Sequence, residues 1–357
     1  MRERFHIFHQ TVLLFIMALV LLTACSSDTP DAQANPSNSP VDHIIHIVSF
    51  APSYVESGSG HRAAPEGYSD YLLSQPTDMG IYVLLPEDYE SPNVPTEQLI
   101  KYDGAKWHAY FSVEKNKTYT VYGYLPKVTG MSSTLTKNNA DAATLTITGM
   151  KPITSDDICI ITGVKENESE LKEGSFSWFQ AVTNDDYYIY MMLNHLYASV
   201  RFSMILDSEY AQLRTIKLKR MMLSTNKESF SATISLTHNT TGDIPIIDVT
   251  YTGTDSSSET ETEIFTDDDG TTLSPTAPTV INTCFAPTLS GYLTLVSSYD
   301  VYDRHGNLIR KNCTATNKIP DLEATRGQRV QLNLTVNPSY LYVLSDPDLD
   351  NPTITIN

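Results

Sequence analysis

Asp267-Asp268-Asp269-Gly270 is a dense group of potential metal ligands in the sequence. A calcium loop needs oxygen ligands at alternating positions and a later bidentate glutamate. That pattern is missing, so the run reads as a solvated acidic turn. His43 and His46 fall in an expected strand, where residues three apart point to opposite faces and cannot share a metal. His195 opens an apolar stretch and reads as a packed or strand-end residue rather than a catalytic base. Serine, histidine and aspartate all occur, but no Gly-x-Ser-x-Gly elbow holds a nucleophile. A carboxylate pair assembled in space leaves no trace in sequence, so a glycosidase site stays open on these grounds. Trp107 and Trp178, among 21 tyrosines, read as sheet packing before they read as a sugar platform. No catalytic residue, metal or cofactor is expected from these motifs.

The four cysteines carry more information. Arg2 and Arg4 precede an apolar run over residues 11–22, which is short for a bilayer span of about 20 residues. The run ends in Leu22-Thr23-Ala24-Cys25. Small residues before a cysteine admit the lipoprotein signal peptidase. Cleavage between Ala24 and Cys25 would leave Cys25 as an acylated N-terminus. The implied place is the outer membrane of a Gram-negative envelope, where two or more acyl chains anchor stably. Residues 26–40 are rich in Ser, Asp, Asn and Pro and read as a tether. Cys159 lies in an apolar strand and reads as a buried thiol. Cys284 and Cys313 flank one expected strand, and in an oxidising envelope they are either a disulfide pair or two thiols.

These groups need elements to position them. Of 357 residues, 41% are hydrophobic and 18% charged, which excludes a disordered chain. The net charge of −18 argues against a nucleic-acid partner, which requires a basic face. Short apolar or alternating runs, separated by turn residues, cover the chain from Val41 on. Val200-Arg201-Phe202-Ser203-Met204 and residues 330–336 alternate clearly, as half-buried strands do. Strands are expected over 43–50, 80–85, 106–113, 118–125, 143–147, 157–162, 187–193, 198–205, 215–223, 229–237, 245–251, 291–299, 329–336, 340–344 and 353–356. Short helices are expected over 208–214 and after Pro95. The acidic stretch 252–278 reads as a mobile loop. This is an all-β chain, and its length implies two sandwiches in tandem, divided near residue 185. The expected organisation is residues 1–24 signal peptide, 25–42 tether, 43–185 and 186–357 sandwich domains.

A resemblance sharpens this. His46-Ile47-Val48-Ser49-Phe50 followed by His61-Arg62-Ala63 resembles the first strand and the Thr-Arg-Ala-like site of the fimbrillins, the type V pilins of Gram-negative anaerobes. Gly80-Ile81-Tyr82-Val83 resembles their next core strand. Trp107, with Tyr119 through Pro126, resembles their Trp followed by a Tyr-rich strand. Leu193-Asn194-His195-Leu196-Tyr197-Ala198-Ser199-Val200-Arg201-Phe202 is similar to their His-x-x-Ala-x-Val-x-Phe strand. Each motif is loose, but together they span nearly the whole body.

The resemblance implies two transthyretin-like sandwiches and a structural, non-enzymatic role in surface fimbriae and cell adhesion. Partners would be other fimbrial subunits, the outer membrane through the anchor, and a host or bacterial surface ligand. An arginine- or lysine-directed protease would cut between Arg62 and Ala63 and remove the first strand, which carries Ile44, Ile45, Ile47, Val48 and Phe50. A strand from a neighbouring subunit would then take its place. The C-terminal stretch is either that donor or the last strand of its own sandwich. Three other readings stand beside the stalk pilin: an uncleaved tip or anchor subunit, a glycan-binding lipoprotein, and an enzyme with a spatially assembled site. Cys25→Ala is expected to abolish metabolic lipid labelling and leave unprocessed precursor; normal labelling of that variant would contradict the anchor.

Overall fold

Alternation of apolar and polar side chains, or a short apolar run where both faces are covered, drives most described segments into strand. The computed structural model describes residues 43–51, 54–56, 69–70, 78–84, 86–109, 118–139, 142–165, 179–180, 187–237, 246–287, 293–319, 322, 324–339 and 348–356. Ala24, Cys25, Arg62, Ala63, Trp178 and the expected strand 340–344 lie outside them.

The first strands in chain order are β1 (His43–Ala51), β2 (Val55–Glu56), β3 (Ser69–Asp70), β4 (Met79–Leu84), β5 (Gln98–Tyr102), β6 (Trp107–Ala109) and β7 (Thr118–Leu125). Next come β8 (Ser132–Asn139), β9 (Ala142–Met150), β10 (Ile153–Thr154), β11 (Cys159–Lys165), β12 (Phe179–Gln180), β13 (Tyr187–His195) and β14 (Ala198–Leu206). The last are β15 (Thr215–Thr237), β16 (Ile246–Thr272), β17 (Thr279–Phe285), β18 (Leu293–Tyr302), β19 (Leu308–Ile319), β20 (Gln328–Ser339) and β21 (Asp348–Ile356). Among the described residues a 3-10 turn, Pro86–Tyr89, and a short α-helix, α1 (Ser208–Ala211), interrupt them; the Asp207 carboxylate caps α1 by accepting from the Glu209 and Tyr210 amides. Among the described residues no helix is long and apolar enough to cross a membrane.

The strands sort into three sheets. The first runs β11-β13-β1-β6-β5-β4-β7-β12, and β7 also pairs with β11. That extra pairing closes β11, β13, β1, β6, β5, β4 and β7 into a ring. Gly123 permits the close approach of β7 to β4, because a Cβ there would lie 2.5 Å from the Gly80 carbonyl oxygen. The second sheet runs β10-β17-β14-β20-β2, with β21 also on β20. The third runs β19-β18-β15-β9-β8, with β16 also on β15. Most pairings are antiparallel, but β1–β13, β14–β20 and β2–β20 are parallel. The all-β expectation holds, although the sheets are mixed rather than purely antiparallel.

The second and third sheets share one core. On β14, Val200, Phe202 and Met204 are fully buried while Arg201 and Ser203 are partly exposed. Ile216, Leu218, Met221 and Leu223 of β15 and Leu334 and Val336 of β20 join them, and the same cluster reaches Tyr82, Tyr122 and Tyr124 in the ring. Tyr299 on β18 donates to the Pro352 carbonyl on β21 at 2.9 Å, tying the two sheets directly. Glu97 ties the ring to β8 by accepting from Tyr124 and from Ser133.

Strand pairing crosses the division expected near residue 185. β8, β9 and β10 belong to the second and third sheets, whereas β13 belongs to the ring. The expected helix after Pro95 is strand β5. The two strands expected over 215–223 and 229–237 are one strand, β15.

The acidic stretch is the largest correction. Residues expected to loop out from 252 are part of β16, which pairs with β15 as far as Thr272. Thr254, Thr260, Thr262 and Thr266 suit a strand, and glutamates alternate with threonines over 259–263. Basic residues on β15 meet the acids: Lys227 pairs with Asp255 and Arg220 with Glu263. Such exposed pairs contribute about 1 kcal/mol or less each, so the ladder holds the strand, interrupted where residues 256–259 and 267–270 bulge out without a partner on β15. A Glu-specific protease is therefore expected to leave Glu261 and Glu263, which are paired with Ser224 and Met222, intact under native conditions; rapid cutting there would contradict the pairing.

Candidate functional site

β1 occupies an unusual place for a first strand. It lies inside the ring, between β13 on one side and β6 on the other. Ile45 through Phe50 run parallel to Tyr187 through Met192. His43, Ile44 and Ile45 oppose Ala109, His108 and Trp107 in antiparallel register. Phe50 and Ala51 also oppose Asp70 and Ser69 of β3. After β1, the chain reaches β2, where Val55 and Glu56 pair with Gln328 and Arg329 at the start of β20. One short segment thus completes the ring and caps the edge of the second sheet.

Tyr54 marks the crossing. Its hydroxyl donates to Asp157 Oδ1 at 2.7 Å and lies 3.7 Å from Cys284 Sγ. Its ring stacks on the His195 imidazole, with centroids 4.1 Å apart and planes 23° apart. The Arg329 guanidinium carbon lies 5.1 Å from the Tyr54 ring centroid. Burial, with Cys284 and Asp157 nearby, pushes the Tyr54 hydroxyl far above the usual phenol range. Burial and the Asp157 charge push the Cys284 thiol up to about 12.

Strand register places the groups beneath Tyr54. Cys159, the first residue of β11, stands directly opposite His195, the last of β13. Asp157 lies two residues before Cys159. His195 Nδ1 is 2.9 Å from Asp157 Oδ2 and 3.6 Å from Cys159 Sγ. Cys159 and His195 are buried, and the ligand atoms of Asp157, Cys159 and His195 all lie within 4.8 Å of one another. Among the described residues this is the group that could hold a metal ion.

His195 is the buried strand-end residue expected, but its partners were not foreseen. Asp157 and Tyr54 were not singled out. The Asp157-x-Cys159 spacing, which puts both side chains on one side of a strand, was the available signal. Of the two alternatives for Cys284 and Cys313, a disulfide or two thiols, the structure holds thiols. Cys159, Cys284 and Cys313 are buried thiols. Cys284 sits on β17 beside Ser199 and Thr154, and Cys313 sits on β19 beside Tyr299, in a different sheet. Asp267 accepts from the Asp269 and Gly270 amides and from the Thr271 hydroxyl, which lowers its pKa and makes the Asp-Asp-Asp-Gly run the self-contained turn expected. Trp107, partly buried, packs on Tyr102 at a centroid distance of 4.9 Å. At the C-terminus β21 runs antiparallel to β20, from Ile356 opposite Leu334 to Asp348 opposite Ser339.

The Tyr54 hydroxyl bond to a carboxylate is worth about 1.5–3 kcal/mol. Tyr54→Phe is expected to lower unfolding stability by that amount, and Tyr54→Ala by more, because the stack on His195 is also lost. Urea midpoints check this; an unchanged midpoint for both variants would contradict the contact.

No family model and no curated protein matches the chain. Solved structures do. A candidate cell-adhesion protein from Bacteroides fragilis superposes with a TM-score of 0.39 at 10% identity, covering 88% of this chain and 97% of that one. A fimbrial protein from Bacteroides vulgatus gives 0.32 at 11% identity, covering 78% and 91%. The fimbrial anchor protein Mfa2 from Porphyromonas gingivalis gives 0.22 at 11% identity, covering 87% and 97%. The structural neighbours are thus fimbrial and adhesion proteins, at overlaps loose enough that the functional reading must rest on this chain's own strands.

Proposed function

We propose that the chain is a fimbrial subunit whose first strand is a temporary occupant of its own fold. The observation that supports this is the position of β1. β1 pairs through Ile45–Phe50 with β13 on one side and through His43–Ile45 with β6 on the other, so its loss leaves unpaired stretches of both strands facing one slot. Such a slot accepts an extended segment from another chain, with main-chain hydrogen bonds supplying affinity and alternating side chains supplying fit.

The same segment that carries β1 and β2 runs on to Gly58-Ser59-Gly60-His61-Arg62-Ala63, a run of small residues around the first Lys or Arg after residue 24. Cleavage after Arg62 would vacate the β1 position in the ring and the β2 position on β20 together. In this reading Cys25 anchors the uncut precursor at the outer membrane, and the cut subunit joins others by donor-strand exchange. The strongly acidic surface opposes association until a complementary strand engages. The role is structural and adhesive, not enzymatic.

A second reading has its own support. Tyr54 is tied to Asp157 and stacked on His195, and β21 is already engaged on β20. Both features suit a tip or anchor subunit that keeps its first strand.

The two readings separate in one experiment. Wild type and Arg62→Ala are treated with a trypsin-like protease and examined by gel filtration and unboiled electrophoresis. Ladders that depend on protease and appear in wild type alone are the expected result. Cleavage at Arg62 with no assembly would overturn strand exchange, and an Arg62 that resists protease would transfer the chain to the tip or anchor reading.

A further inference from the structure

We propose that Asp157, Cys159 and His195 form a binding site for a divalent transition metal of the zinc class, built where the ring meets the second sheet and sealed by Tyr54. The donor set is the first reason. One thiolate, one imidazole and one carboxylate suit a borderline-soft ion and do not suit calcium or magnesium, which take oxygen ligands.

Geometry is the second. Zinc bonds of about 2.0–2.3 Å at tetrahedral angles set ligand-to-ligand edges of roughly 3.3–3.7 Å. His195 Nδ1 is 3.6 Å from Cys159 Sγ and 2.9 Å from Asp157 Oδ2, so small rotations of two side chains open the cluster around an ion. The ligands come from rigid elements: Cys159 and His195 are a cross-strand pair in the β11–β13 ladder, and Asp157 stands two residues upstream.

Burial is the third. Cys159 is fully buried and His195 is 2% exposed, so an ion there is shielded from competing water. Three protein ligands leave a tetrahedral ion one further position, and Tyr54 packs over two of the three ligands, with its hydroxyl on Asp157 and its ring on His195. Binding replaces the Cys159 S–H bond by a metal–sulfur bond and releases that proton to solvent, with no change in oxidation state. The site does not depend on the fimbrial reading. It would, however, report on the segment carrying β1 and β2, because displacement of Tyr54 would uncover two of the three ligands.

The test uses the full chain purified in detergent under reducing conditions and titrated with Co(II) alone. The expected result is one ion per chain, with visible bands of a tetrahedral ion and a near-ultraviolet thiolate-to-cobalt charge-transfer band, both erased by added Zn(II). Cys159→Ser should abolish the charge-transfer band, and Asp157→Asn and His195→Ala should each weaken binding by about tenfold or more. Cys313→Ser should leave the spectrum unchanged, and Tyr54→Ala should speed uptake. Absence of a thiolate band in wild type would overturn the proposal, whatever the variants do. So would a band that survives Cys159→Ser.

Discussion

A strand in the interior of a closed sheet must have partners on both sides, and that constraint governs this molecule. β1 is such a strand, although it is the first element of the described chain. Each backbone amide and carbonyl it satisfies on β13 and β6 would otherwise face a gap in a closed ring. A gap of that kind is costly while the polar groups are buried and adhesive once they are exposed. The ring therefore needs an occupant at this position, and nothing in backbone pairing requires the occupant to belong to the same chain.

The second sheet follows from the same segment. The chain leaves β1, turns through Tyr54 and lays β2 along the start of β20. β21 lies along the other end of β20, so two short strands from opposite ends of the sequence share one edge. Tyr54 links the two sheets chemically, since Asp157 and His195 belong with the ring strands while Cys284 and Arg329 belong to the second sheet. The functional reading and the metal inference thus draw on one junction but on different atoms: the first on backbone edges, the second on side chains of β11 and β13.

Much of the strand content is legible in the sequence, and the reasons for the misses are physical. β7 and β14 carry clean apolar runs or alternation, and their expected bounds fall within a residue of those observed. β8 and β19 were missed because they are the two ends of the third sheet, where Ser132–Asn139 and Leu308–Ile319 need little apolar surface. β16 was read as a loop because its acids look solvated; its partner β15 supplies the basic groups and the ladder, and both lie outside any local window. The junction could not be read at all. Asp157 and Cys159 are two residues apart, but His195 joins them only through the β11–β13 register, and Tyr54 only through the crossing after β1. Cys284 and Cys313 looked like a pair by flanking one strand, yet they ended in different sheets.

Amide hydrogen exchange on β6 and β13 tests the central claim most directly, because it reads the two edges that β1 covers. It would be measured in the intact chain, in a chain cut after Arg62 and freed of the released segment, and in assembled material. The account requires protection of Trp107–Ala109 and Tyr187–Met192 in the intact chain, loss of it on removal of the segment, and its return on assembly. Unchanged protection of both strands after the segment has gone would contradict the account, since the ring would then be complete without β1.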